Sequence, residues 1–135
     1  MNLPQIDSKN PLLLKYPESK WGRAMNYVRE LLKGNTDCLL LSLINCQPTY
    51  GYQIIKELEK KSSGYFQFKE GTLYPALHRL EKSKLIKGEW RLLPNGQQRR
   101  YYYITEKGQQ VLANRLATWQ DFSAAVRAII HPKIS

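Results

Sequence analysis

The chain has 135 residues, 42% of them hydrophobic, which suggests one domain with a single modest core. Its 21 lysines and arginines outnumber its 11 aspartates and glutamates, and the formal net charge is +10. A domain this basic usually binds a polyanion, nucleic acid first and an anionic membrane second. Because the charge is spread along the chain, a folded basic surface is favoured over a disordered basic tail.

Few residues are suited to catalysis or metal binding. Cys38 and Cys46 stand eight residues apart in one predicted helix, about 12 Å along its axis, which is too far for a disulfide. We expect buried, reduced thiols in a cytoplasmic protein. His78 and His131 show no metal-ligand spacing, and there is no glycine loop to hold a phosphate. No enzyme, cofactor, metal site or membrane association is therefore predicted.

The N-terminal part divides into an arm and a helix. Residues 1–20 contain three prolines among scattered polar residues, which indicates an irregular arm. Residues 21–33 repeat apolar side chains at helical spacing, and Gly34 is placed to cap that helix.

Two further helices are predicted in the middle of the chain. Residues 37–45 are apolar nearly all round, so this helix should be buried at the centre of the fold, with Asn35 or Thr36 as its cap. Residues 50–61 form the second, which Thr49 can cap. Gly51 in its first turn suggests close contact with another backbone.

A third helix follows and has two contrasting faces. Pro75 is tolerated only in a first turn, so this helix should begin near Gly71 or Thr72. Four apolar residues at helical spacing form the inward face: Leu73, Ala76, Leu77 and Leu80. The outward face carries donors, cations and no carboxylate: Tyr74, Pro75, His78, Arg79 and Lys82. Such a helix suits a DNA major groove, although a solvated surface helix has the same pattern.

The sequence period then changes from helix to strand. Residues 87–93 and 97–105 are predicted strands on either side of Pro94-Asn95-Gly96, a strong hairpin turn. Alternation places Arg100, Tyr102 and Ile104 on one face of the second strand and Arg99, Tyr101 and Tyr103 on the other. One face should pack on the helices, leaving the tip and its two arginines outside.

The last predicted helix, residues 106–130, has a cap at Thr105 and an apolar stripe longer than one small core requires. Surplus apolar helix surface is usually covered by a partner, most often through a two-fold dimer, although a purely intramolecular helix is the alternative. The predicted homodimer interface combines this stripe with the N-terminal helix: Trp21, Met25, Val28, Leu112, Leu116, Trp119, Phe122, Val126 and Ile129.

This order of elements predicts a mainly α protein with a β-hairpin wing, a winged helix-turn-helix with added N-terminal and C-terminal dimerisation helices. Its predicted parts are the arm at 1–20, a helix at 21–34, a DNA-binding domain at 35–105 and a C-terminal helix at 106–131.

Several runs resemble the PadR family of bacterial transcriptional regulators. They are Asp-Cys-Leu-Leu-Leu-Ser-Leu-Ile at 37–44, Tyr-Gly-Tyr-Gln-Ile-Ile-Lys-Glu-Leu at 50–58, Glu-Gly-Thr-Leu-Tyr-Pro-Ala-Leu-His-Arg-Leu-Glu at 70–81, Leu-Ile at 85–86 and Arg-Arg-Tyr-Tyr-Tyr-Ile-Thr-Glu-Lys-Gly at 99–108. The resemblance implies dimeric repressors that bind palindromic operators with paired helices and wings. Tyr50 departs from the family's usual histidine. The N-terminal extension is similar to a cyanobacterial regulator that lengthens the circadian period, which would imply repression of a clock gene.

On this interpretation double-stranded DNA is the partner. The predicted DNA-binding residues are Lys56, Lys60, Thr72, Tyr74, His78, Arg79, Lys82, Asn95, Gly96, Arg99 and Arg100. Lys56 and Lys60 would contact phosphates, and the wing with its two arginines would enter the neighbouring minor groove or lie on phosphates. His78, Arg79 and Lys82 would reach base edges, with Arg79 the best suited to guanine.

Two alternatives stay open. Some members of the resembled family stack flat aromatic molecules between tryptophans at the dimer interface, so Trp119 could contribute to a small-molecule inducer site, although packing is its ordinary role. A winged helix can also bind only protein, but the +10 charge argues against that function here.

Overall fold

The computed structural model describes residues 5–7, 10–15 and 31–131, with side chains from Leu31 onward. Most of the predicted N-terminal helix, including Trp21, Met25 and Val28, lies outside the described residues. The chain divides into two units, Met1–Asn35 and Thr36–Ser135.

The first unit contains secondary structure that we did not predict. Strands β1 (Gln5–Asp7) and β2 (Asn10–Lys15) pair antiparallel, so the prediction of an irregular arm is wrong for these residues. The leucine run at 12–14 suits a strand, and a proline is tolerated there because a two-stranded sheet has only edge strands. Gly34 has a φ of +89°, the conformation typical of a helix C-cap.

The second unit begins with two helices separated by a very short strand. These elements are α1 (Thr36–Cys46), β3 (Thr49–Tyr50) and α2 (Gly51–Lys61). The predicted helix cap at Thr49 is wrong, because Thr49 is buried and pairs with Tyr102 in a sheet, and the N-cap residue is Tyr50. A two-residue strand has no sequence period of its own, so only its partner strand defines it.

Helix α3 (Glu70–Lys82) begins one residue earlier than predicted, and Pro75 is therefore its sixth residue. The prediction that Pro75 lies in the first turn is wrong by this small margin. Leu73, Leu77 and Leu80 are buried, as their spacing indicates.

A hairpin and a long helix complete the unit. Strands β4 (Ile86–Leu92) and β5 (Gln98–Ile104) pair antiparallel, and the sheet order is β3-β5-β4. Helix α4 (Glu106–Ile130) follows, and the Thr105 hydroxyl accepts a hydrogen bond from the Gly108 N–H at 3.0 Å. The helices and the hairpin have the predicted order, and the winged helix-turn-helix fold is confirmed.

The core is formed where the helices meet the inner face of the sheet. Its largest fully buried side chains are Leu40, Leu41, Ile44, Ile54, Leu73, Leu77, Leu80 and Ile86. Gly108 allows the closest approach in this region, because a Cβ there would overlap the carbonyl oxygen of Leu85. The first turn of α4 therefore packs directly on the start of the hairpin.

Candidate nucleic-acid interface

The outward face of α3 is exposed, as its sequence pattern predicts. Tyr74 is 44% exposed, and Pro75, His78, Arg79 and Lys82 are also exposed, whereas Leu73 and Leu77 behind them are fully buried. The side chains that could contact a ligand are thus held by a helix whose other face is fixed in the core.

A cleft of about 720 Å³ lies between α3 and the inner face of the hairpin. Its lining residues are Tyr74, His78, Glu81, Lys82, Arg100 and Tyr102. The prediction that this side of α3 has no carboxylate is wrong, because Glu81 lies in the cleft among the cations. Glu81 precedes Lys82 in the helix and lies at the border between the buried and outward faces, so it lines one side of the cleft. The helical pattern alone places Glu81 on neither face.

The floor of the cleft is a tyrosine that stays neutral. Burial raises the pKa of Tyr102 above its ordinary value of 10.0, an effect that exceeds the opposing influence of the Arg100 charge. Tyr102 therefore adds no negative charge to a cleft that contains His78, Lys82 and Arg100.

The hairpin turn has the predicted chemistry. Gly96 has a φ of +86°, and the Leu93 N–H donates to the Gln97 carbonyl at 2.7 Å. The Asn95 side-chain oxygen accepts from the Gln97 N–H at 3.0 Å, which closes the turn from inside. Asn95 and Gly96 are exposed, so the tip is accessible.

The two predicted wing arginines point to opposite sides of β5. Arg100 donates to Glu81 at 2.6 Å on the inner face, while the Arg99 guanidinium lies 3.9 Å from the centre of the Tyr50 ring on the outer face. The prediction that the tip leaves both arginines outside is wrong, because each is half-buried against a partner. Only their alternation along the strand is confirmed.

Arg91 is a candidate DNA-binding residue that the sequence reasoning missed. It pairs in register with Arg99 across the hairpin, and its guanidinium lies 4.3 Å from the Tyr101 ring centre and bonds to the Tyr103 hydroxyl. Within residues 31–131, whose side chains the structure describes, no carboxylate forms an ion pair with Arg91 or Arg99. Counting both strands outward from the three-residue turn Pro94-Asn95-Gly96, rather than from Asn-Gly alone, would have paired these two arginines.

Arg79 is directed away from the cleft. Its guanidinium lies 3.4 Å from one carboxylate oxygen of Asp37, and Arg115 of α4 lies 3.4 Å from the other. These pairs are long and partly exposed, so each stabilises the fold by no more than about 1 kcal/mol. Asp37 nevertheless joins three helices through one carboxylate.

The other predicted DNA-binding residues lie on α2 and at the start of α3. Lys56 and Lys60 are exposed, and the Lys56 ammonium lies 5.3 Å from the Tyr52 ring centre. Thr72 is exposed in the first turn of α3. The structure thus gathers Tyr74, His78, Lys82 and Arg100 around one cleft; the remaining predicted residues lie elsewhere on the surface.

Helix α4 has a buried start and an exposed remainder. Leu112 is only 4% exposed and packs in the chain's own core, so its prediction as an interface residue is wrong. Beyond it Trp119 is 45%, Phe122 68% and Ile129 81% exposed, and Leu116 is exposed as well. This surplus apolar surface starts at Leu116, since the first turns are needed to complete the domain.

Metal-binding and membrane-spanning features are lacking in the part of the chain that the structure describes. It holds no group of three or more His, Cys, Asp or Glu side chains able to bind a metal ion together. No described helix combines the length and the apolar character that crossing a membrane requires.

The exposed α3 face, the adjoining hairpin and the basic surface define a winged helix-turn-helix protein of the DNA-binding class. Residues 40–114, more than half of the chain, match the model of the transcriptional regulator PadR-like family. The chain belongs to this family. It is therefore a DNA-binding transcriptional regulator by family, and the family's members act as regulators rather than enzymes.

Individual relatives agree with this assignment. The chain is 34% identical over 92 residues to an uncharacterized protein of Lysinibacillus sphaericus, covering 68% of this chain and 84% of that protein. It resembles the structure of a PadR family transcriptional regulator from Eggerthella lenta, with a TM-score of 0.72, 28% identity, and coverage of 87% and 100%. A PadR-like transcriptional regulator from Bacillus cereus gives a TM-score of 0.68 and 32% identity, with coverage of 77% and 99%.

Proposed function

We propose that this chain is a sequence-specific regulator of transcription that represses its target by binding a palindromic operator as a homodimer. The observation that carries this proposal is the cleft in which α3 presents Tyr74, His78 and Lys82 beside the wing. The net charge of +10 supplies the affinity for phosphates. Helix α3, hereafter the recognition helix, supplies the base contacts through its exposed face.

The exposed stripe on α4 supports the dimer. Trp119, Phe122 and Ile129 form apolar surface that the described part of the chain does not cover. A second copy of the chain would bury it and would place two recognition helices in successive major grooves. Two-fold symmetry then requires operator half-sites about 34 Å apart, one turn of the duplex.

The wing supports affinity more than specificity. Arg91 and Arg99 lie side by side on its outer face, and within residues 31–131 neither forms an ion pair with a carboxylate. The Tyr101 and Tyr50 rings hold the two guanidinium groups in place. Such prearranged cations suit the phosphate backbone. Together with Lys56 and Lys60 they would fix the position of the protein while the recognition helix reads the sequence.

The first experiment identifies the operator. The purified full chain is mixed with a fragmented genomic library of its source organism, and the fragments that it retains are sequenced. We expect a shared palindrome with half-sites one helical turn apart, bound far more tightly than a random duplex. Equal binding to all fragments would contradict sequence-specific recognition. The position of the palindrome relative to promoters tests repression, and the circadian target implied by the resemblance stays a prediction that the same fragments would decide.

The second experiment measures the contribution of the wing. The logarithm of operator affinity should fall linearly with the logarithm of salt concentration, with a slope proportional to the number of phosphate contacts. The double variant Arg91→Gln with Arg99→Gln should reduce the magnitude of that slope by the amount expected for about two contacts. Arg127→Gln, near the end of α4, is a control that removes a positive charge far along the chain from the wing. An unchanged slope in the double variant would remove the outer wing face from the phosphate contacts.

A second candidate function is the sensing of a flat aromatic compound between two copies of α4. The exposed indole of Trp119 favours it, because planar molecules stack well on indole rings. Planar cationic dyes should then quench the tryptophan fluorescence of the wild type and not that of Trp119→Leu. Equal quenching of the two proteins would argue for packing as the only role of Trp119.

A further inference from the structure

Glu81 joins the recognition helix to both strands of the wing. Its Oε2 atom accepts a hydrogen bond from Arg100 of β5 at 2.6 Å and another from the backbone N–H of Gly88 of β4 at 3.3 Å. Both side chains of the ion pair are about two-thirds buried, so solvent screens this pair less than an exposed one.

The surroundings of the pair are built to hold it. The Arg100 guanidinium lies over Gly88 so closely that a Cβ there would stand 2.5 Å from Arg100 Nη2. The same guanidinium is 5.4 Å from the Trp90 ring centre and 6.0 Å from that of Tyr102. A glycine on the facing strand and an aromatic ring on either side therefore fix the position of Arg100.

Apart from one hydrogen bond at the base of the hairpin, Glu81 forms the hydrogen bonds that join α3 to the described hairpin. At its base the Leu85 N–H donates to the Leu80 carbonyl at 3.0 Å. Beyond Ile86, within residues 31–131, every hydrogen bond between the recognition helix and the hairpin ends on Glu81. From Gly88 to the turn the strand extends about 17 Å, so a rotation of about 10° at the pair would move the tip by about 3 Å.

The negative charge of Glu81 is unexpected on a surface proposed to bind DNA. A carboxylate in the cleft repels the phosphates that His78, Lys82 and Arg100 would attract, so its direct effect on DNA affinity is unfavourable. An ion pair between the helix and the wing offsets that effect only if the wing has to be held at one angle.

We propose that Glu81 is a positioning residue for DNA binding, which acts through Arg100 and Gly88 to set the angle between the recognition helix and the wing. The inference rests on the proposed function, in that both elements contact one duplex. Arg100 is on this account a structural partner of Glu81, and Arg91 and Arg99 are the wing cations left for phosphates.

The test uses Glu81→Gln in the full chain, which keeps the shape of the side chain and removes its charge. Glu89→Gln is the matched control, because Glu89 lies on the same hairpin, is exposed, and among residues 31–131 pairs with Lys87 alone, at 3.0 Å. The probe is the genomic fragment that the wild type retains, with a random duplex of equal length beside it.

If Glu81 positions the wing, Glu81→Gln weakens binding to the retained fragment by roughly fivefold, the value of one partly buried ion pair. Glu89→Gln strengthens it slightly, because a negative charge has been removed. The opposite signs separate positioning from simple electrostatics. If Glu81→Gln strengthens binding as Glu89→Gln does, or leaves it unchanged, the proposal is overturned.

A double-mutant cycle shows whether Glu81 acts through Arg100. In an Arg100→Gln background, Glu81→Gln should no longer weaken binding; a second, additive loss would overturn the proposal. Thermal unfolding of each variant shows whether it is folded, and Glu81→Asp, which shortens the side chain but keeps its charge, replaces Glu81→Gln if that variant does not fold. The shorter carboxylate should weaken binding because it cannot reach Arg100 and Gly88.

A measurement without DNA distinguishes this proposal from the proposed function. Hydrogen exchange of the Gly88 amide in the free protein should become faster in Glu81→Gln and remain at the wild-type rate in Glu89→Gln. Unchanged exchange would overturn the positioning role even if the wild type binds its operator. Failure of the wild type to bind any DNA would instead reject the proposed function, together with the purpose assigned to this bridge.

Discussion

Tyr74 of the recognition helix lies directly against Gly51, the first residue of α2. A Cβ at Gly51 would stand 2.5 Å from the Tyr74 hydroxyl oxygen and 2.8 Å from its ring. The prediction that Gly51 lies against another backbone is wrong, because the atoms nearest to a Cβ there belong to the Tyr74 side chain. The contact sets the spacing of the two helices of the helix-turn-helix.

Gly51→Ala should therefore lower the free energy of unfolding by about 1–3 kcal/mol, the usual cost of overpacking. Gly71→Ala is the matched control, because Gly71 is also in a first helical turn but no atom of residues 31–131 outside its own turn lies within 4 Å of the added methyl. It should raise the free energy of unfolding by about 0.5–1 kcal/mol through helix propensity. Urea denaturation measures both values.

The same contact can be removed from its other side. In a Tyr74→Ala background, Gly51→Ala should cease to be destabilising, since the ring that it would meet is absent. If Gly51→Ala is equally destabilising with and without Tyr74, the contact is not the reason for the glycine.

Asp37→Asn should increase affinity for DNA. Asp37 lies 3.4 Å from both Arg79 and Arg115, so the change releases two cations and removes one negative charge. We expect roughly threefold tighter binding to a random duplex at moderate salt, with little change in stability, because these pairs are partly exposed. Asp121→Asn, on the exposed part of α4, makes the same change in charge and is the control. Equal gains in the two variants would show that Arg79 takes no part.

Alkaline pH should destabilise the protein through two buried groups. Burial raises the pKa of Cys38 above 9.0 and the pKa of Tyr102 above 10.0, so above these ordinary values the folded state holds protons that the unfolded state has lost. Stability is therefore complete at neutral pH and falls as the pH rises. Tyr102→Phe should show a shallower fall above 10.0 when the free energy of unfolding is measured by urea denaturation. An identical slope in both proteins would contradict this account of Tyr102.

Phe122→Glu should convert the proposed dimer into a monomer. An unpaired carboxylate buried in an apolar interface costs roughly 3–5 kcal/mol. Because about 1.4 kcal/mol corresponds to a tenfold change in affinity, association should weaken at least a hundredfold. Gln120→Glu adds the same charge two residues away, at an exposed polar position outside the stripe, and should remain dimeric. Sedimentation equilibrium separates the two states. Two dimeric variants would place the interface elsewhere.

Local patterns were enough to predict helix α3 and the hairpin. The spacing of Leu73, Leu77 and Leu80 identified the buried face, and Asn95-Gly96 identified the turn. These features depend on neighbours in sequence, since helix and strand periods and turn conformations are set within a few residues.

The parts that could not be predicted depend on contacts between distant residues. Glu81 and Arg100 are nineteen positions apart, Asp37 and Arg115 seventy-eight, and neither pairing follows from a sequence period. The strand at Thr49 exists only because β5 lies beside it. The prediction of Leu112 as an interface residue is wrong because an apolar stripe does not show where the chain's own core ends.

Gly108 has a consequence for the geometry of the whole assembly. Helix α4 has 25 residues, about 37 Å at 1.5 Å per residue, and its buried side chains are confined to its first two turns. The rest of α4 extends away from the core, and its direction is fixed where Gly108 packs against the carbonyl oxygen of Leu85. In the proposed dimer, the distance between the two recognition helices would therefore depend on Gly108, which is buried against Leu85 within one chain. Gly108→Ala would change the direction of α4, because the added methyl would overlap the Leu85 carbonyl oxygen. The distance between the two recognition helices of the proposed dimer would then no longer match the spacing of the half-sites, although the predicted DNA-binding side chains would be unchanged.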